Sequence, residues 1–196
     1  MYKAQLVLQK ILCFAAIVVC GVAFLYSLGL MTDLYDGLYW TIPNAAKLDS
    51  TRVPGSQVYY YMQDFNKALL NSSIGLLLAA CLLFITSTHS RRRYYIGNAV
   101  STFLFAGAGT AMSVWTHLEV ESYKAQFLQI DFETYLKQAE RRRQPYIDST
   151  FWFDVHYVVC ALILIVCVLL VANYFWKLHL MRAEKRLIEQ GKEALA

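Results

Sequence analysis

Four stretches of the chain, residues 11–32, 68–88, 94–116 and 157–176, contain no Asp, Glu, Lys or Arg, and each is 20 to 23 residues long. About 20 consecutive apolar residues are enough for a helix to cross the hydrocarbon core of a bilayer. The sequence therefore predicts an all-α integral membrane protein, a bundle of four spans in one domain covering residues 1–196. Composition agrees, because 58% of residues are hydrophobic and only 16% are charged, against about 25% charged in ordinary soluble domains. A soluble enzyme and a nucleic-acid binder are both excluded. Residues 11–32 form too long an apolar run for a secretory signal, whose h-region is about 7–15 residues, so they read as span 1.

Charge placement sets the expected orientation. Residues 1–10, the short turn at 89–93 and the tail 177–196 hold ten basic and three acidic residues, whereas loops 33–67 and 117–156 hold eight basic and eleven acidic ones. Lys and Arg near span ends mark the cytoplasmic side. Both termini and the arginine run at 91–93 are thus expected in the cytoplasm, with the two long loops outside a plasma membrane. The run at 141–143 opposes this rule but lies well away from a span. Tyr26, Trp115, Phe151, Trp152, Phe153 and Tyr157 form one interfacial aromatic belt, and Tyr94, Tyr95, Tyr174, Phe175 and Trp176 the other.

Helical periodicity continues past the lipid. Val58, Met62, Phe65 and Leu69 recur at i, i+4, i+7 and i+11, and Val120, Tyr123, Phe127 and Ile130 at i, i+3, i+7 and i+10. These patterns predict extracellular helical extensions of spans 2 and 3. A short helix over 131–143 should stop before Pro145, Ser149 or Asp148 should cap span 4, and the tail 177–196 should extend span 4 into the cytoplasm.

The search for chemistry returns mostly exclusions. No ionisable residue lies deep in a span and no span contains proline, which argues against proton-coupled transporters, pumps and voltage sensors. Walker, GxSxG and HExxH motifs are absent, and loop acids such as Asp33, Asp36, Asp131 and Glu133 read as solvated surface. The expectation is therefore no enzyme, no catalytic residue, no metal site and no cofactor. Cys13/Cys20 and Cys160/Cys167 are each seven residues apart on one helical face and read as small apolar filler. His117 and His156 should share the outer interface on spans 3 and 4. Their expected role is interfacial, with polar tips in water, although a bis-histidine haem is an alternative.

Two features point to protein contacts. Gly97, Ser101, Ala106, Gly107, Gly109, Thr110, Ala111 and Ser113 give span 3 small-xxx-small spacing, which lets helices approach closely in lipid. The seam serves either the bundle itself or a second chain, and the motif does not choose between them. Tyr35, Tyr39, Trp40, Tyr59, Tyr60 and Tyr61 form an aromatic set in the first loop, suited either to a partner interface or to headgroup anchoring. A homo-oligomeric pore is a further alternative, but the polar residues of span 3 are interrupted by the apolar segment 103–109.

A resemblance adds to this reading. It rests on Phe24-Leu-Tyr-Ser-Leu-Gly-Leu-Met-Thr-Asp33, Val53-Pro-Gly-Ser-Gln-Val-Tyr-Tyr-Tyr-Met-Gln-Asp-Phe65, Thr88-His-Ser-Arg-Arg-Arg-Tyr-Tyr-Ile-Gly97 and Ser149-Thr-Phe-Trp-Phe-Asp-Val-His156. In these segments the chain resembles four-span membrane proteins of Firmicutes-type bacteria that accompany the permease subunits of carbohydrate ABC importers. That group has no assigned catalytic residues to carry over. The resemblance implies a non-catalytic accessory subunit whose partners are the lipid bilayer and importer permeases.

Overall fold

A computed structural model describes residues 2–41, 55, 57–88, 95–133 and 148–193; the side chains of 2, 31–41, 60, 88, 95, 192 and 193 lie outside that description. The described residues form four long helices, α1 Tyr2–Thr41, α2 Val58–Thr88, α3 Tyr95–Phe127 and α4 Phe151–Glu193. Three contain segments long and apolar enough to cross a membrane, Lys3–Leu30, Tyr61–Ser87 and Phe151–Gly191. Helix α3 is 33 residues long, but Asn98, Ser101, Thr102, Gly107, Gly109, Thr110 and Ser113 dilute its apolar content. Composition therefore marks three helices rather than the four expected.

Helices α1 and α3 each pack against both α2 and α4, which places them on one diagonal of a four-helix bundle. The direction alternates. Gln9 at the start of α1 meets Ser87 at the end of α2 and Asn173 late in α4, while His117 late in α3 meets His156 early in α4. The near end is where α1 and α3 start; the far end is where α2 and α4 start.

The inward faces follow a 3.5-residue repeat, as in coiled coils. On α1 the buried positions include Gln5, Gln9, Cys13, Ala16, Cys20, Ala23, Ser27 and Leu30, and on α4 they include His156, Cys160, Ile163, Cys167, Leu170, Tyr174 and Lys177. The cysteine pairs seven residues apart thus lie two turns apart, each on the buried seam of its own helix. Small side chains dominate the α1 seam, whereas Ile11, Phe14, Val18 and Leu25 point outward and are exposed. In water this arrangement is unfavourable, but in lipid close packing of small residues holds helices together.

Helix α1 runs through to Thr41, so residues 33–41, expected at the start of a loop, are helical. At the far end the two predicted apolar faces meet: Val58, Met62, Phe65 and Leu69 of α2 and Val120 and Phe127 of α3 are all buried, with Tyr123 half-buried against Phe65. Gly55 makes the turn into α2 with φ of 85°, its carbonyl accepting from Val58 N–H at 3.2 Å. A Cβ there would lie 3.3 Å from the Ile130 backbone, so both conformation and space call for glycine. Ser149 Oγ accepts the Phe151 N–H at 3.3 Å at the start of α4, the capping role expected of it. Beyond Glu133, the helix expected over 131–143 lies outside the described residues.

Candidate functional site

The aromatic set divides. Tyr59 is buried, its ring edge-on to Phe127 at 6.0 Å, whereas Tyr61 is 58% exposed. Tyr59 therefore belongs to the far-end core, and replacing it alters stability before it alters any surface. The side chains of Tyr35, Tyr39, Trp40 and Tyr60 lie outside the described residues.

The small-residue seam of α3 also divides. Ser101, Ala106, Gly109 and Ser113 face inward, while Gly97, Gly107, Thr110 and Ala111 are exposed. A Cβ on Gly109 would stand 2.9 Å from Cys167 Sγ and 3.1 Å from Ile163 Cγ2, so this glycine sets the approach of α3 to α4. Around Gly75, Gly97 and Gly107 there is open space. Gly75, Leu76, Ala108, Ala111, Met112 and Trp115 line a groove of about 420 Å³ between α2 and α3.

Polar side chains concentrate at the two ends of the bundle. At the near end, one network joins all four helices. Asn173 Nδ2 donates to Gln9 Oε1 at 2.5 Å, Gln9 Nε2 and Asn98 Nδ2 both donate to Ser87 Oγ at 3.3 and 2.6 Å, and Lys177 Nζ donates to Asn98 Oδ1 at 3.4 Å. All are buried, Lys177 included, although the sequence placed that lysine in a solvated tail. Gln5 donates to Gln9 at 3.3 Å, and its own carbonyl oxygen is buried without a hydrogen bond.

At the far end, two helices bring together groups suited to cation binding. His117 and Glu121 are four residues apart on α3 and so share a face; His156 and Tyr157 face them from α4. His117 Nδ1 lies 3.0 Å from His156 Nε2, and Glu121 Oε1 lies 3.8 Å from that same nitrogen. The Phe153 carbonyl contacts His156 Nδ1, which makes Nδ1–H the donor in the neutral ring and leaves a lone pair on Nε2. Tyr157 donates its hydroxyl to Glu121 Oε1 at 2.5 Å. One turn outward, Lys124 and Asp154 pair at 2.6 Å, with Thr150 donating to the other carboxylate oxygen at 2.7 Å. The hydrogen bond to Asp154 raises the Lys124 pKa.

His156 is wholly buried, contrary to the expectation of a polar tip in water. The reason is register: position 156 falls on the inward seam of α4, four residues before Cys160. The two imidazoles are stacked with 26° between their planes, whereas axial ligands of one haem stand on opposite faces of the macrocycle. His117, Glu121 and His156 are the described residues whose donor atoms, all within 4.8 Å of one another, form a group able to hold a metal ion. The sequence placed the two histidines at the same depth but missed Glu121. The His117-x-x-x-Glu121 spacing was the available signal.

No protein-family model, curated protein or solved structure matches the chain. Its function must be read from its own chemistry.

Proposed function

We propose that this chain is a four-span plasma-membrane protein, with both termini and the 91–93 turn cytoplasmic, serving as a non-catalytic subunit of a larger membrane complex. The observation that carries the reading is the unused half of the α3 seam. Ala108 and Ala111 are exposed beside Gly75 on the groove between α2 and α3, and Gly107 is exposed next to them on α3. Small residues matter in lipid because they let two backbones approach, and the bundle itself makes no use of these. The occupant proposed for the groove is a transmembrane helix of a partner. The resemblance to proteins accompanying carbohydrate importers supports a permease as that partner.

A non-conducting role is supported by the interior. Ala16, Cys20, Ala23, Leu76, Ala80, Phe105, Ile163 and Leu170 are buried between the polar ends. A pore instead needs polar groups along its length. Four spans are supported by the bundle, in which α3 is packed between α2 and α4.

Two outcomes are expected. A fluorescent protein that matures only in the cytoplasm should glow when fused after Ala196, and a phosphatase active only outside should work when inserted within 134–147; the reverse pattern overturns the orientation. A second integral-membrane chain should also co-elute with the tagged protein from native membranes in mild detergent. Elution of this chain alone overturns the subunit reading.

A further inference from the structure

We propose that His117, Glu121 and His156 bind one divalent first-row transition-metal ion, of which zinc is the reference case, where α3 ends and α4 begins. Three atoms able to act as acceptors face one another in the cluster. His156 Nδ1–H is committed to the Phe153 carbonyl, so His156 Nε2 presents a lone pair. The Glu121 carboxylate is an acceptor only and lies 3.8 Å from that nitrogen. Without metal, the single proton on His117 Nδ1 can serve the His156 lone pair across 3.0 Å and the Tyr157 hydroxyl serves Glu121 Oε1, but the carboxylate oxygen and the His156 nitrogen, both acceptors, still face each other at 3.8 Å. A cation there satisfies all three donors together.

Geometry and donor type specify the class of ion. Zinc binds histidine nitrogen at about 2.0–2.1 Å and carboxylate oxygen at about 2.0–2.2 Å, with tetrahedral angles. Those lengths place pairs of donors roughly 3.3–3.5 Å apart, and the observed 3.0 and 3.8 Å bracket that spacing. Two imidazoles with one carboxylate suit zinc, iron, nickel or copper, whereas calcium and magnesium take oxygen ligands. Three protein ligands leave a position for water, and His117 lies on the exposed side of the cluster and provides an entry path.

The supporting contacts are those expected around a metal. Ligating histidines donate their other ring N–H to a carbonyl or carboxylate, and ligating carboxylates are themselves hydrogen-bonded. Phe153 serves His156 in this way, and Tyr157 serves Glu121. Lys124 lies near the site, but its charge is matched by Asp154 at 2.6 Å. The bound ion would join α3 to α4 at the far end. This site is independent of partner docking on the α2/α3 groove, so either proposal can fail alone.

The test uses the full-length protein in detergent, stripped with a chelator, desalted and titrated with zinc chloride and, in parallel, with cobalt chloride. The expected result is one equivalent of zinc per chain and a cobalt spectrum of nitrogen and oxygen ligation. Affinity should fall at least tenfold in His117→Ala and in Glu121→Gln, about 10–100-fold in Tyr157→Phe, and remain unchanged in His179→Ala. His117 and Glu121 are not fully buried, so their variants decide the matter even if His156→Ala fails to fold. Sub-stoichiometric zinc, binding unaffected by His117→Ala and Glu121→Gln, or a thiolate-to-cobalt charge-transfer band overturns the proposal.

Discussion

Replacing Phe127 by alanine should destabilise the protein by about 3–5 kcal/mol, the cost of removing a large aromatic side chain from a packed core. Phe127 is wholly buried, with the rings of Phe153 at 4.9 Å, Phe132 at 5.1 Å and Tyr59 at 6.0 Å. It lies eleven residues beyond the charge-free stretch that ends at Thr116. In the proposed membrane arrangement this cluster sits in water, where the hydrophobic effect drives its burial. Within the bilayer, by contrast, only packing and hydrogen bonds distinguish the folded bundle. Reversible unfolding in detergent micelles measures the loss, with Phe151→Ala as the comparison because Phe151 is 60% exposed. Phe151→Ala should fall within about 0.5 kcal/mol of wild type. Equal effects at the two positions would remove the far-end core from the account.

Gly109→Leu and Gly107→Leu, two residues apart on one helix, should behave oppositely. Even the first carbon added at Gly109 meets Cys167 Sγ at 2.9 Å and Ile163 Cγ2 at 3.1 Å, so leucine must push α3 away from α4. Overpacking of this kind costs typically 1–3 kcal/mol, and the separation also disturbs the contacts between α3 and α4 above and below it. At Gly107 there is no atom within 4 Å of the added carbon, and leucine has the better helix propensity by up to about 1 kcal/mol. Its stability should be unchanged or higher. The same unfolding experiment checks both, and similar losses for the two variants would contradict the division of the seam.

The parts of the fold that follow from composition and periodicity were readable in the sequence. Charge-free runs located the long helices, and the apolar spacing of Val58, Met62, Phe65 and Leu69 identified the face that meets α3. What escaped depends on register and tertiary contact. Asp33 and Asp36 end the apolar run and suggest a loop, yet a helix is held by its backbone, and α1 continues to Thr41, two residues before Pro43. Gly107 and Gly109 look alike in sequence; only the position of α4 makes one a contact and the other open surface. His156 and Lys177 lie at the edges of an apolar run, where hydropathy suggests solvent, but both fall on the inward seam of α4 and are buried. Glu121 did not stand out among the loop acids. Its significance appears only when α4 brings His156 and Tyr157 beside it.

The most direct test of the central claim is affinity purification of the tagged protein from its native membrane, comparing wild type with an Ala108→Leu/Ala111→Leu double variant. Both positions are exposed in the bundle and line the groove between α2 and α3, so the double variant should fold as wild type does while filling that groove. The predicted result is a stoichiometric permease-type membrane chain that elutes with wild type and is lost from the variant. Wild type eluting alone, or a partner retained equally by both forms, would contradict docking through this face.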